Sequence, residues 1–241
     1  MLNNERPAMP DSPPTVLVPG LNCSARLYAG QIPALWRFGP VMVANHTRDD
    51  TMPAIARRIL QAAPPRFALC GLSMGGYIAL EIMRQAPERV DRLALLDTNA
   101  GLSTPEQTDR RHASIALAES GRFDEAIELV WPLLVHPDRH NDALLKQIHV
   151  AMCHDVGAEA YVRQQRAILT RADSRPLLAT IKCPTLVLVG EQDELTPPFL
   201  SEEMAAGIAG AKLVKVPHCG HLSTLEQPDA VNAALVEWMR M

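Results

Sequence analysis

The chain has no excess of positive charge, no long apolar run and no cysteine pattern. Its 23 Lys and Arg residues are outnumbered by 27 Asp and Glu, a formal net charge of −4. That balance offers no basic footprint, so no nucleic-acid partner is expected. No apolar run reaches the ~18 residues of a membrane span, so no membrane partner is expected either. The stretch Met1-Leu2-Asn3-Asn4-Glu5-Arg6 lacks the apolar core of a secretory signal. The five cysteines, Cys23, Cys70, Cys153, Cys183 and Cys219, are odd in number and widely scattered. They fit neither a disulfide framework nor a CxxC metal site, and imply reduced thiols in a cytoplasmic protein. There is no internal repeat and no low-complexity tract. A chain of 241 residues fits one α/β domain, with or without an insertion.

What is present is organised around Phe67–Leu80. This stretch begins as a continuous apolar run, the signal of a strand buried on both faces. It passes through Gly71-Leu72-Ser73-Met74-Gly75 and continues with apolar residues at Ala79, Ile82, Met83 and Ala86, which is helical spacing. Pro87 ends the pattern. A strand that turns sharply into a helix leaves one side chain at its apex, here Ser73. Gly71 and Gly75 supply the absence of a bulky Cβ that so tight a turn demands. The Ser73 hydroxyl would then sit at the positive end of the helix beside the free N–H of Met74, a geometry suited to a nucleophile.

The rest of the chain alternates. Strands are expected at Thr15–Val18, Pro40–Ala44, Val90–Leu96, Pro184–Gly190 and Lys212–Val216, and helices at 27–37, 52–62, 198–209 and 228–239. Residues 1–14, with four prolines, are expected to form a loose arm. From 101 to 178 the rhythm changes to helices alone, at about 105–119, 123–135, 141–153 and 157–171. This reads as a helical insertion in a core made of 1–100 and 179–241. Near-continuous apolar strands alternating with helices imply a parallel sheet covered on both faces, with ligands bound outside the carboxyl ends of its strands. Ser73, Asp97, the 191–197 loop, the 217–224 loop and Leu21 all fall at those ends.

A serine hydroxyl needs a base to take its proton, and the base needs a third group to orient it. Asp193 follows one predicted strand and His221 follows the last. His218 stands three residues before His221 as a rival base. Glu191 and Glu194 flank Asp193, and Asp97 ends a strand on the same rim. Cys23 and Cys219 flank the presumed site without an elbow of their own. His136 and His140 are four apart but straddle Pro137, and no third ligand accompanies them. The stripe Ile127, Val130, Trp131 and Leu134 suits packing, and also suits the underside of a lid.

With these pieces the chain resembles the α/β-hydrolase family, and within it small esterases and lactonases with a helical cap. The matching stretches are Pro19-Gly20-Leu21, Gly71–Gly75, Gly190-Glu191-Gln192-Asp193, and Gly220-His221 followed by Glu226-Gln227-Pro228. The resemblance implies Ser73 as nucleophile, His221 as general base and then acid, and Asp193 as its orienter. It implies an oxyanion hole from the N–H groups of Leu21 and Met74, a cap at 101–178, and no cofactor or metal. The implied partner is a small ester or lactone, cleaved through an acyl-serine intermediate. C–C bond hydrolysis, perhydrolysis and a slow-turnover ligand receptor use the same triad and are the alternatives. The oligomeric state is not implied. Two departures stand out. Pro19 replaces the histidine that usually precedes the oxyanion-loop glycine, leaving the loop's support open. The first 14 residues cannot supply the two opening strands usual in the family, so six strands are expected.

Overall fold

The computed structural model describes residues 12–241. The arm expected at 1–14 therefore lies, for residues 1–11, outside the described residues. The remainder of it is not loose, because the Pro14 carbonyl accepts from Ala68 N at 2.8 Å, which extends the pairing of the strand after it with the strand carrying Ala68.

Six strands form one parallel sheet in the order β2-β1-β3-β4-β5-β6. They are β1 (Thr15–Val18), β2 (Val41–Val43), β3 (Phe67–Leu72), β4 (Val90–Leu96), β5 (Thr185–Gly190) and β6 (Lys212–Val216). The helices are α1 (Ile32–Trp36), α2 (Met52–Ala62), α3 (Met74–Gln85), α4 (Pro105–Glu119), α5 (Phe123–Leu134), α6 (Ala143–Val156), α7 (Ala158–Leu169), α8 (Arg175–Leu178), α9 (Pro198–Gly207), α10 (Ser223–Glu226) and α11 (Pro228–Trp238).

The central strands β1, β3 and β5 are buried along their whole length because both faces are covered, whereas the edge strand β6 keeps Lys212 and Lys215. Alternate residues divide between two cores. Val16, Val18, Leu69, Leu93, Leu95 and Val187 pack with Ile55 of α2, Ile78 of α3 and Met204 of α9. Leu17, Ala68, Cys70, Ala94, Leu96 and Leu188 pack on the other face with Leu35 of α1 and Leu235 and Trp238 of α11. Truncating one of these fully buried leucines to Ala would cost about 2–5 kcal/mol.

One expectation about a helix is corrected. The single helix over 27–37 is a 3-10 turn, Ala25–Tyr28, followed by the short α1, with Gly30 between them and Pro33 in the first turn of α1. Proline removes a helix donor and glycine weakens the run, so the two pieces do not fuse. The helical stretch between β4 and β5 does form. Its first helix opens with a capping box, in which Thr104 accepts from Gln107 N and the Gln107 side chain accepts from Thr104 N. Asp142 caps α6 by accepting from Leu145 N.

Because β1 lies between β2 and β3, the chain leaves β1 toward one edge of the sheet and later returns on its other side. The loops after β1 and β3 diverge at that point and leave a crevice at the carboxyl ends of the strands. The segments carrying Leu21 and Ser73 face each other across it.

Candidate active site

Ser73 is held at φ 55° and ψ −117° between β3 and α3. This is left-handed space that costs a non-glycine residue ~1–3 kcal/mol. The surroundings impose it. Ser73 N donates to the Leu96 carbonyl at 2.9 Å, while the Ser73 carbonyl accepts from Gly76 N and from the Thr98 hydroxyl, each at 2.8 Å. The two flanking glycines are required by close approach. A Cβ on Gly71 would lie 2.2 Å from the Gly75 carbonyl oxygen, and one on Gly75 would lie 2.0 Å from that of Val18.

His221 arrives from the loop after β6. Its Nε2 lies 2.8 Å from Ser73 Oγ and its Nδ1 lies 2.8 Å from Asp193 Oδ2. Asp193 is saturated with donors. Its Oδ1 accepts from Leu195 N and Thr196 N, both at 2.9 Å, and its Oδ2 also accepts from the Thr196 hydroxyl at 2.6 Å. A carboxylate bonded in this way stays fixed in place. With Nδ1–H donating to Asp193, Nε2 is left with a lone pair toward the serine. Burial pulls the His221 imidazole down, but the charge and hydrogen bond of Asp193, with Asp97 and Glu226 behind it, outweigh that and raise it above its ordinary value.

The other candidates lie elsewhere. Asp97 is fully buried under the site, where its Oδ1 accepts from Gly190 N at 3.0 Å and its Oδ2 accepts from the Ser223 hydroxyl. It ties the ends of β4 and β5 to α10. Burial, with Asp193 nearby, pushes its carboxyl well up. His218 is exposed and points its ring toward His136, 6.0 Å between centroids. Glu191 is exposed, and Glu194 is exposed on the same loop. His140 Nε2 lies 2.9 Å from the Pro132 carbonyl, and among the described residues no group of three His, Cys, Asp or Glu is placed to hold a metal. Burial lifts the Cys23 thiol to about 12 and Cys219 further, so neither is a thiolate.

The loop after β1 supplies the second wall. Gly20 packs against the elbow, where an added Cβ would lie 3.4 Å from the Ser73 Cβ. Met74 N opens α3 and so has no carbonyl one turn before it. Neither it nor Leu21 N has a partner among the described residues. Support for this loop comes from His46, in the segment after β2. His46 is buried and its Nε2 lies 3.0 Å from the Gly20 carbonyl. Burial lowers it to about 4, so it is neutral and donates Nε2–H there. From the other side Gln164 of α7 accepts from Asn22 N at 2.9 Å.

A cavity of about 380 Å³ opens over Ser73 and His221. Its floor is Gly20, Leu21, Asn22, Leu72 and Ser73, and its walls come from α4, α5 and α7. From the α5 stripe, Val130 and Leu134 face the cavity, while Ile127 and Trp131 are buried in packing. The stripe is divided between lining and core. Leu129, 70% exposed, borders the cavity as well.

The end of α5 is joined to the histidine loop. The Leu134 carbonyl accepts from both His221 N and Leu222 N. Glu226 is buried and accepts from His136 N at 2.7 Å and Gly220 N at 2.9 Å. His46, Thr196 and Gln164 were not marked by the sequence, and Glu226 was marked only as part of the stretch Glu226-Gln227-Pro228. Each lies far in sequence from Ser73, and only the fold brings it near.

A family model described as the alpha/beta hydrolase family matches residues 15–234. The chain belongs to the α/β hydrolase family. It is similar to the pimeloyl-[acyl-carrier protein] methyl ester esterase of Nitrosomonas europaea, 26% identical over 248 residues, covering 91% of this chain and 92% of that one. Among solved structures it is similar to a thermophilic esterase from Thermogutta terrifontis (TM-score 0.86, 28% identity, 96% of this chain and 91% of that one). It shares its fold with the enol-lactonase of Burkholderia xenovorans (TM-score 0.84, 24% identity, 96% and 93% covered). No helix among the described residues is long and apolar enough to cross a membrane.

Proposed function

We propose that this hydrolase cleaves a small carboxylic ester or lactone through an acyl-Ser73 intermediate. The observation that carries the reading is the unbroken line of two 2.8 Å contacts from Ser73 Oγ through His221 to Asp193 at the floor of a mostly apolar cavity. In the first half-reaction Ser73 Oγ attacks the carbonyl carbon as His221 Nε2 takes its proton. The oxyanion is met by the N–H groups of Leu21 and Met74, both without other partners. The alkoxide leaves with the proton from Nε2, and the acyl group stays on Ser73. In the second half-reaction water takes the serine's part, with His221 again accepting and returning the proton. Asp193 keeps the tautomer and steadies the imidazolium in both halves. The segment 101–178 serves as the cap over this site and sets which acyl and alcohol groups fit, because its helices α4, α5 and α7 wall the cavity.

The esterases among the relatives support ester chemistry, and an elbow serine suits acyl transfer. The experiment is a parallel screen of p-nitrophenyl esters of graded chain length and of five- and six-membered lactones. Turnover of at least one series, lost in Ser73→Ala, is expected. A stoichiometric burst without turnover on every substrate would point to a ligand receptor instead.

A further inference from the structure

The cavity wall carries a cation without a counter-ion. Arg111 of α4 lines the cavity. Its only hydrogen bond among the described residues runs from one terminal nitrogen, Nη1, to Gln165 Oε1 of α7 at 2.8 Å, and Gln165 Nε2 in turn donates to the Tyr161 hydroxyl at 2.8 Å. Its Nε is enclosed without any partner. The charged or titratable groups nearest it are Tyr77, Tyr161, Arg171 and Arg110, none of them a carboxylate. Among the described residues no Asp or Glu lines the cavity, although Asp and Glu outnumber Lys and Arg in the chain. The neighbouring Arg110 borders the same space and makes no ion pair.

A guanidinium cannot shed its proton to escape burial. An enclosed, unpaired charge is unfavourable unless something pairs it. Elsewhere the chain pairs its arginines readily, as Arg58 with Asp49 and Arg175 with Asp173. At Arg111 the partner is an amide, which fixes the side chain in place without neutralising it. Everything else around Arg111 in the cavity wall is apolar or neutral, apart from Arg110 at its border.

We propose that the substrate carries a carboxylate, apart from the bond that is cleaved, and that Arg111 is the residue that binds it. The substrate class is then the half-ester of a dicarboxylic acid, or a lactone bearing a carboxyl group. A planar guanidinium with open donors matches a carboxylate. The proposal rests on the ester-hydrolase reading of the site, and its test separates the two.

The first measurement needs no variant. kcat/KM is compared for monoethyl glutarate and ethyl pentanoate, which match in chain length and differ in the terminal carboxylate. The wild-type protein is expected to prefer the half-ester by at least about tenfold. Arg111→Gln should lower the ratio of the two kcat/KM values by about a hundredfold. Gln165→Glu should lower it too, because it supplies Arg111 with an internal counter-ion while the arginine stays; it keeps the test open should Arg111→Gln not fold. The second measurement removes chemistry. Monoethyl glutarate is titrated into the Ser73→Ala protein by calorimetry, with and without Arg111→Gln. Binding that weakens at least about thirtyfold in the double variant supports the anion site. It does so even if no ester is hydrolysed, in which case the ester-hydrolase reading fails alone. Turnover of ethyl pentanoate that equals or exceeds that of the half-ester, together with no Arg111-dependent binding, overturns the proposal and leaves the ester-hydrolase reading standing.

Discussion

Asp193, and not Asp97, accepts from His221, with Oδ2 2.8 Å from the imidazole Nδ1. Both acids end up beneath the same histidine, but Asp97 spends its oxygens on Gly190 N and Ser223. Replacing the orienting acid by Asn in a serine protease costs about 10⁴ in kcat, or ~5.5 kcal/mol of barrier. Asp193→Asn is expected to lose several orders of magnitude in kcat on any ester the wild type turns over. Asp97→Asn resembles the protonated acid that burial favours, and should lose about tenfold or less. Steady-state kcat for both variants, with folding checked by thermal melting, decides; a reversed ranking would reassign the orienter.

The same contact fixes the acid side of the pH profile. His221 must be neutral to accept the Ser73 proton, and its pKa is raised in the folded protein. Activity should therefore fall as pH drops through a midpoint above about 6.5, the ordinary histidine value. A kcat/KM profile with its acid limb well below 6 would contradict the Asp193–His221 coupling.

His46 takes the place of the support that Pro19 cannot give. Its folded pKa, about 4, lies below the ordinary 6.5. The unfolded chain thus binds more protons between those values. The stabilisation from His46 is complete above about pH 6.5 and is lost as pH falls toward 4, by at most ~3 kcal/mol. His46→Ala should lower kcat by roughly tenfold to a hundredfold through the Gly20-Leu21 donor. It should also lower Tm more at pH 7 than at pH 4.5. An equal loss at both pH values would mean that the imidazole is not buried neutral.

Glu226 joins the loop bearing His221 to the end of α5 through Gly220 N and His136 N. Glu226→Gln keeps one acceptor and turns a donor toward the second N–H. A loss of about 1–3 kcal/mol of stability is expected, with kcat falling more than KM rises, because the histidine and not the cavity is displaced. Chemical denaturation and steady-state kinetics on one ester check it. Unchanged kcat would show that the two segments hold their places independently.

The parts of this protein that were legible in the sequence are those whose cause is local. Apolar runs bounded by Gly and Pro gave the strands, and the Gly71–Gly75 turn gave the elbow because its glycines answer to contacts within a few residues and with β1. Asp193 and His221 could be listed as loop acids and bases at strand ends. Their meeting at Ser73 was implied by the family resemblance alone, since it depends on the order β3-β4-β5-β6 placing three loops side by side. Asp97 and Asp193 both stand at strand ends in the sequence, where only the family resemblance favours Asp193; in the structure Gly190 N and Ser223 occupy Asp97 while Asp193 meets His221. His46, Thr196 and Arg111 carry no motif at all, and Glu226 lies in a matching stretch that says nothing of its role. Arg111 carries no sequence signal, and only the packing of α7 beside α4 brings Gln165 to it. The split of 27–37 was readable in principle from Gly30 and Pro33, but the apolar spacing outweighed them.

The central claim is that Ser73 forms the covalent intermediate. The direct measurement is intact-protein and peptide mass spectrometry after treatment with a serine-directed p-nitrophenyl phosphonate, alongside residual turnover. One adduct per chain is expected, on the peptide that contains Ser73, with activity lost in step with modification and no adduct in Ser73→Ala. A full adduct on Ser73→Ala, or undiminished turnover by fully modified protein, would contradict it.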